Sequence, residues 1–134
     1  MSASVSLTAV LTLSGNAKSV SLSYATNYLR VFDFELTAGD LMTLSFDNTT
    51  EGTDAQFLFI LALNNADATQ HTTVSYGFSD ADAADPPNGS SWRSVNGLHL
   101  SREDVDLSAT YKLYIYNSGA NKANVTVAVG LDGA

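Results

Sequence analysis

His71 and His99 are the only imidazoles in this chain of 134 residues, and it contains no Cys. Nucleophilic hydrolysis needs a Ser, Thr or Cys activated beside a base. None of the spacings that announce such a group is present: there is no G-x-S-x-G elbow, phosphate-binding glycine loop, H-E-x-x-H or dinucleotide fingerprint. The expectation is a protein without catalytic residues or cofactor. Asp80, Asp82 and Asp85 lie close together on one stretch, and clustered oxygen ligands are what Ca²⁺ requires. The calcium-loop pattern then breaks, with Ala84 in a ligand position, Asp85 where a turn glycine belongs and no closing Glu. These residues are read as a solvated acidic loop and no metal is assigned. Asp47, Glu51 and Asp54 make a weaker acidic group of the same kind. Trp92, Tyr76, Tyr114 and Tyr116 offer flat apolar rings of the sort that stack on sugars. Trp92 and Tyr76 are the candidates for ligand or partner contact, because Tyr114 and Tyr116 fall in a strand where one face must be covered.

Six Lys and Arg stand against fourteen Asp and Glu, a net charge of −8. That surface repels a phosphate backbone, so nucleic acid is not an expected partner. The longest apolar run, Phe57 to Leu63, falls far short of the roughly 20 residues of a membrane-spanning helix. Met1-Ser2-Ala3-Ser4 has neither the basic opening nor the apolar stretch of a secretory signal. A chain made in the cytoplasm, with no membrane contact, is expected. The sequons at Asn48, Asn88 and Asn124 are read as coincidence in a chain rich in Asn, Ser and Thr.

The elements that must position any site follow from a period of two. Val5, Leu7, Ala9, Leu11 and Leu13 alternate with Ser and Thr, and after Ser14-Gly15-Asn16 the same alternation resumes through Val20, Leu22 and Tyr24, predicting a hairpin. Tyr28 to Leu36 puts Tyr28, Phe32, Phe34 and Leu36 on one face, interrupted by Arg30, with Asp33 and Glu35 opposite. Leu41 to Phe46, Thr73 to Phe78, Tyr111 to Tyr116 and Asn124 to Leu131 read as further strands. Phe57 to Leu63 has no polar face and reads as a central strand covered on both sides, so a charge at Phe59 is expected to unfold the protein. Ser79 to Gly97 reads as one long excursion, and Ser101 with Asp104 as the cap of a single helical turn. Eight or nine short strands at this spacing predict one all-β domain over residues 1–134, an antiparallel two-sheet sandwich of jelly-roll or Greek-key type.

Arg30-Val31-Phe32-Asp33-Phe34-Glu35-Leu36-Thr37-Ala38-Gly39-Asp40, the strand Leu41 to Asp47, and Asp54-Ala55-Gln56-Phe57-Leu58 together resemble the bacterial pre-peptidase C-terminal domain. Ala109 to Tyr116 looks like that family's late strand. The resemblance implies a small β-sandwich that serves binding or maturation rather than chemistry, and no site residues are carried over from it.

A Cys-free sandwich with an acidic surface and ordinary polar loops suits a structural subunit. The expectation is a protein partner, namely other subunits of a virion, with this chain acting as a bacteriophage capsid decoration or cement protein and forming a homo-oligomer such as a trimer. Leu29 and Val31, opposite Phe32 and Phe34, give more apolar surface than one thin sandwich hides, and the neutral strand Ser4 to Leu13 is a candidate for packing on a neighbour. The alternative is a carbohydrate-binding or adhesion module acting through Trp92.

Overall fold

The computed structural model describes residues 3–13, 15–26, 28–45, 54–79, 92–106 and 112–131. The first alternating stretch folds as expected into two antiparallel strands, β1 (Ala3–Leu13) and β2 (Asn16–Thr26), which form a two-stranded sheet of their own. The next eight strands build the body: β3 (Tyr28–Leu36), β4 (Leu41–Leu44), β5 (Asp54–Asn64), β6 (Thr73–Ser79), β7 (Arg93–Asn96), β8 (Leu98–Asp106), β9 (Lys112–Tyr116) and β10 (Ala123–Leu131). The first sheet has the order β3-β10-β5-β8 and the second β4-β9-β6-β7. All pairings are antiparallel. Apart from the neighbours β6 and β7, each strand passes the chain to the opposite sheet. That double Greek-key path is the jelly roll.

Alternation decides what the sheets enclose. Leu58, Ile60 and Ala62 of β5 and Val125, Val127 and Val129 of β10 point inward from the first sheet. Val74 and Tyr76 of β6 and Leu113 and Ile115 of β9 meet them from the second, and all ten are buried. Phe32 and Phe34 lie partly buried against this cluster. Burial of these side chains, at roughly 25 cal/mol per Å² of apolar area, is the main drive to fold. Lys122, just before β10, pairs with Glu35 of β3 at 2.9 Å, and the pair is exposed.

Three expectations are corrected. Ser101 and Asp104 cap no helix; both lie within β8, because His-Leu-Ser-Arg-Glu alternates like a strand and pairs along β5. The long excursion contains β7, an edge strand whose one buried residue, Val95, left almost no periodic signal. Finally, β5 is central and its outer side is covered only in part: of its outward residues, Phe57 is buried while Phe59, Leu61 and Leu63 are half-buried.

Two tight points fix the ends of the sandwich. Gly97 has φ +91°, and a Cβ there would lie 2.4 Å from that of His71, so only glycine lets β7 turn into β8 under the imidazole. Asn117 is fully buried and donates from Nδ2 to the carbonyls of Leu36 and Asn121, while its Oδ1 accepts from the Gly119 N–H. It ties the β9–β10 turn to the end of β3.

Candidate functional site

His99, Ser101 and Glu103 occupy alternate positions of β8, the edge strand of the first sheet, with His99 and Ser101 opposite the inward Ile60 and Leu58 of β5. The His99 ring lies 4.9 Å from that of Tyr76. Ser101 Oγ donates to Glu103 Oε1 at 2.6 Å and sits 2.9 Å from His99 Nε2. A hydroxyl has one proton, and here the carboxylate holds it, so Nε2 must carry a hydrogen and donate to Ser101. A Ser–His nucleophile needs the reverse polarity, with the imidazole accepting from the hydroxyl. Burial pushes the His99 imidazole below its ordinary value, against the opposing pull of Glu103. Burial, reinforced by the Glu103 charge, pushes the Tyr76 hydroxyl up. These groups make a chain of polar contacts along the edge strand of the first sheet.

The two residues nominated from sequence do not meet. Tyr76 is 3% exposed and faces the core, so it presents no platform to solvent. Trp92 is half-buried and its ring lies 5.6 Å from that of Tyr116, tilted by 42°. Tyr114, two residues away on the same strand, is fully buried, and its hydroxyl has no hydrogen-bond partner among the described residues. Trp92 thus pairs with Tyr116, one of the strand residues set aside from the sequence, and Tyr76 stands apart with Phe78 and His99. Asp80, Asp82 and Asp85, with Asp47 and Glu51, lie outside the described residues. Among the described residues no three His, Asp or Glu side chains converge as a metal site. His71 is exposed and covers Gly97.

The outer face of the first sheet is rich in apolar residues. Register sets Val31, Ala128, Phe59 and Leu100 side by side across all four strands. The next row is Asp33, Thr126, Leu61 and Leu98. Val31 is 53% and Leu98 42% exposed, while Phe59, Leu61 and Leu100 are half-buried. At one end Phe57 lies across Gly130, where a Cβ would come within 2.2 Å of the ring. At the other end the face turns polar. Lys122 Nζ meets Glu35, and Asn65 Nδ2 donates to Glu35 Oε1 at 3.1 Å and to Asn124 Oδ1 at 2.6 Å. The bond and charge of Lys122, helped by Asn65, hold the Glu35 carboxyl below its usual value. A contiguous apolar stripe with a polar rim is the form of a surface that binds another protein.

Sequence reasoning singled out Leu29 and Val31 but missed their neighbours Phe59, Leu61, Leu98 and Leu100. The signal was present in the unbroken apolar run of β5, which was assigned to burial inside the chain. No protein-family model and no curated protein matches the chain.

Proposed function

We propose that the chain is a non-catalytic structural protein, a bacteriophage virion component of the capsid decoration or cement type, which binds neighbouring shell subunits as a small homo-oligomer such as a trimer. The observation that carries this reading is the apolar outer face of the first sheet, where Val31 and Leu98 are exposed and Phe59, Leu61 and Leu100 half-buried beside them. A protein that works by covering surface needs no cofactor and gains strength by repetition. The jelly roll agrees with this reading by analogy, and equally with the second one below, since capsid and lectin domains both use it. Under this reading the protein is made in a host cytoplasm and ends in the particle. Antiserum against it should detect the protein in shells banded on a density gradient; protein that always stays free at the top of the gradient would overturn the proposal.

The Trp92–Tyr116 pair favours a second reading, a carbohydrate-binding or adhesion module. In that case Trp92→Ala abolishes retention on a glycan column and leaves the melting temperature unchanged.

A further inference from the structure

We infer that the outer face of the second sheet binds an uncharged sugar, stacked on the ring of Tyr116 beside Trp92 and hydrogen-bonded along the low polar floor that β6 and β7 place next to them. The inference rests on the carbohydrate reading of the Trp92–Tyr116 pair, and adds to it the class of sugar and the rest of the site.

Register assembles the site. Ser75 of β6 lies opposite Tyr116 of β9 on one side and Ser94 of β7 on the other, and Leu41 of β4 lies opposite Tyr116 on its far side. These four share one row on the face away from the core, because Val74, Val95 and Ile115 at the alternate positions are buried within it. The middle strand β6 sends outward only Thr73, Ser75 and Gly77, so the floor is low and Tyr116 stands over it as a wall. Trp92, just before β7, brings its ring to 5.6 Å from that of Tyr116 and closes one end. Tyr114 on the next row is fully buried, which confines the accessible part of the face to the row of Tyr116. There Leu41 and Ser94 are exposed and Tyr116 is half-buried.

The floor supplies hydrogen-bonding groups. Ser75 Oγ lies 3.0 Å from Ser118 Oγ, so the two hydroxyls share one proton and leave another to give. Thr73 Oγ1 donates to Asn96 Oδ1 at 3.1 Å, a bond that uses neither amide hydrogen of Asn96. Ser94, Asn96 and Ser118 are exposed. Neighbouring strands lie about 4.8 Å apart, so a sugar ring laid against Tyr116 has its hydroxyl edge over Ser75 and Ser94.

Charge selects the kind of sugar. Among the described residues no outward position of β4, β9, β6 or β7 carries Asp or Glu. Lys112 is the one charged residue there, four positions and about 13 Å along β9 from Tyr116. A chain of net charge −8 repels a sulfated or uronic-acid glycan, and the row of Tyr116 holds no cation to offset that repulsion. An aromatic plane bordered by hydroxyls and an amide matches a neutral sugar, with its flat apolar face and polar edge. A protein partner is served less well, because its contact wants an apolar centre with polar groups at the rim, and here Ser75 stands directly beside the ring.

Trp92 is the single Trp of the chain, so its fluorescence reports on this site alone. The protein should be retained on an array of uncharged hexose polymers such as dextran, mannan and galactan, and pass over sulfated and uronic-acid polymers. Oligosaccharides cut from a retained polymer should shift the Trp92 emission. Tyr116→Ala should weaken that titration about tenfold or more, and Tyr116→Phe, which keeps the ring, should restore it. Ser94→Arg changes an exposed position of an edge strand and fills the floor, so it should abolish binding with the thermal transition unchanged, whether or not Tyr116→Ala folds. Retention of anionic polymers alone, a still emission on binding, or full affinity in Ser94→Arg would overturn this inference and leave the carbohydrate reading standing. Detachment from shells by Ser94→Arg, with no sugar bound by the native chain, would make the face a protein contact and remove both.

Discussion

Ile60 and Phe59 are neighbours on β5, and they live in different environments. Ile60 is wholly enclosed between the sheets, whereas Phe59 looks outward from the first sheet and is half-exposed. The inner face is aliphatic and closed, built from Leu58, Ile60, Val125, Val127 and Val129 against the second sheet. The outer face mixes Phe59, Leu61 and Leu98 with Thr126 and Asp33 and is covered only in part. An unbroken apolar run therefore requires cover from some source, and the source need not be the same chain.

The comparison breaks most readily with a single charge. Ile60→Asp places a carboxylate without a partner in the core, a change that costs more than about 4 kcal/mol, and the protein should lose its cooperative thermal transition by circular dichroism. Phe59→Asp, the charge expected from the sequence to unfold the chain, should keep a cooperative transition and cost about 1–2 kcal/mol, because the carboxylate can reach water. Equal collapse of the two variants would mean that both faces are core.

A smaller effect tests whether the outer face is uniform along its length. At the end where Phe57 is buried over Gly130, the packing is as close as in the interior. Gly130→Ala forces the ring to move and should destabilise the protein by about 1–3 kcal/mol in denaturant unfolding. Phe57→Leu added to it should recover part of that loss. No loss from Gly130→Ala would mean that the ring swings away freely and that this end is as open as the rest.

The strands were legible because one side of each is committed to the core. Val125, Val127 and Val129, or Phe32, Phe34 and Leu36, alternate with polar residues, and the period names the element and its face together. Where that commitment lapses, the signal fails. β7 carries one buried residue, so nothing periodic marks it. β8 mixes His99, Ser101 and Glu103 with outward Leu98 and Leu100, an inversion of the usual polar-out pattern, which is why Ser101 and Asp104 read as a cap. The apolar outer face was half-legible. Leu29 and Val31 break the alternation of a surface strand, but only register could set Val31 beside Ala128, Phe59 and Leu100. Trp92 and Tyr76 looked alike as aromatic residues, and the sequence could not tell that the core takes one and the ring of Tyr116 the other.

The smallest predicted effect lies at the edge of the inner face, where His99 is the polar exception to an aliphatic surface. Burial lowers its pKa from the ordinary 6.5 in the folded protein. As pH falls through 6.5 the unfolded chain therefore takes up a proton that the folded chain resists, and stability drops until the folded imidazole also titrates. The contribution is full above 6.5 and is lost below the folded value. Glu35 and Asp67, whose carboxyls are lowered from 4.5 and 3.8, lose their contribution only in more acid solution, so the windows separate. Between about pH 7.5 and about pH 5.5 the melting temperature of the native protein should fall, and His99→Phe, which stays uncharged beside Tyr76, should fall less. If the two lose stability in parallel, the imidazole is as well solvated as the outer face, and the inner face is less closed at its edge than its geometry indicates.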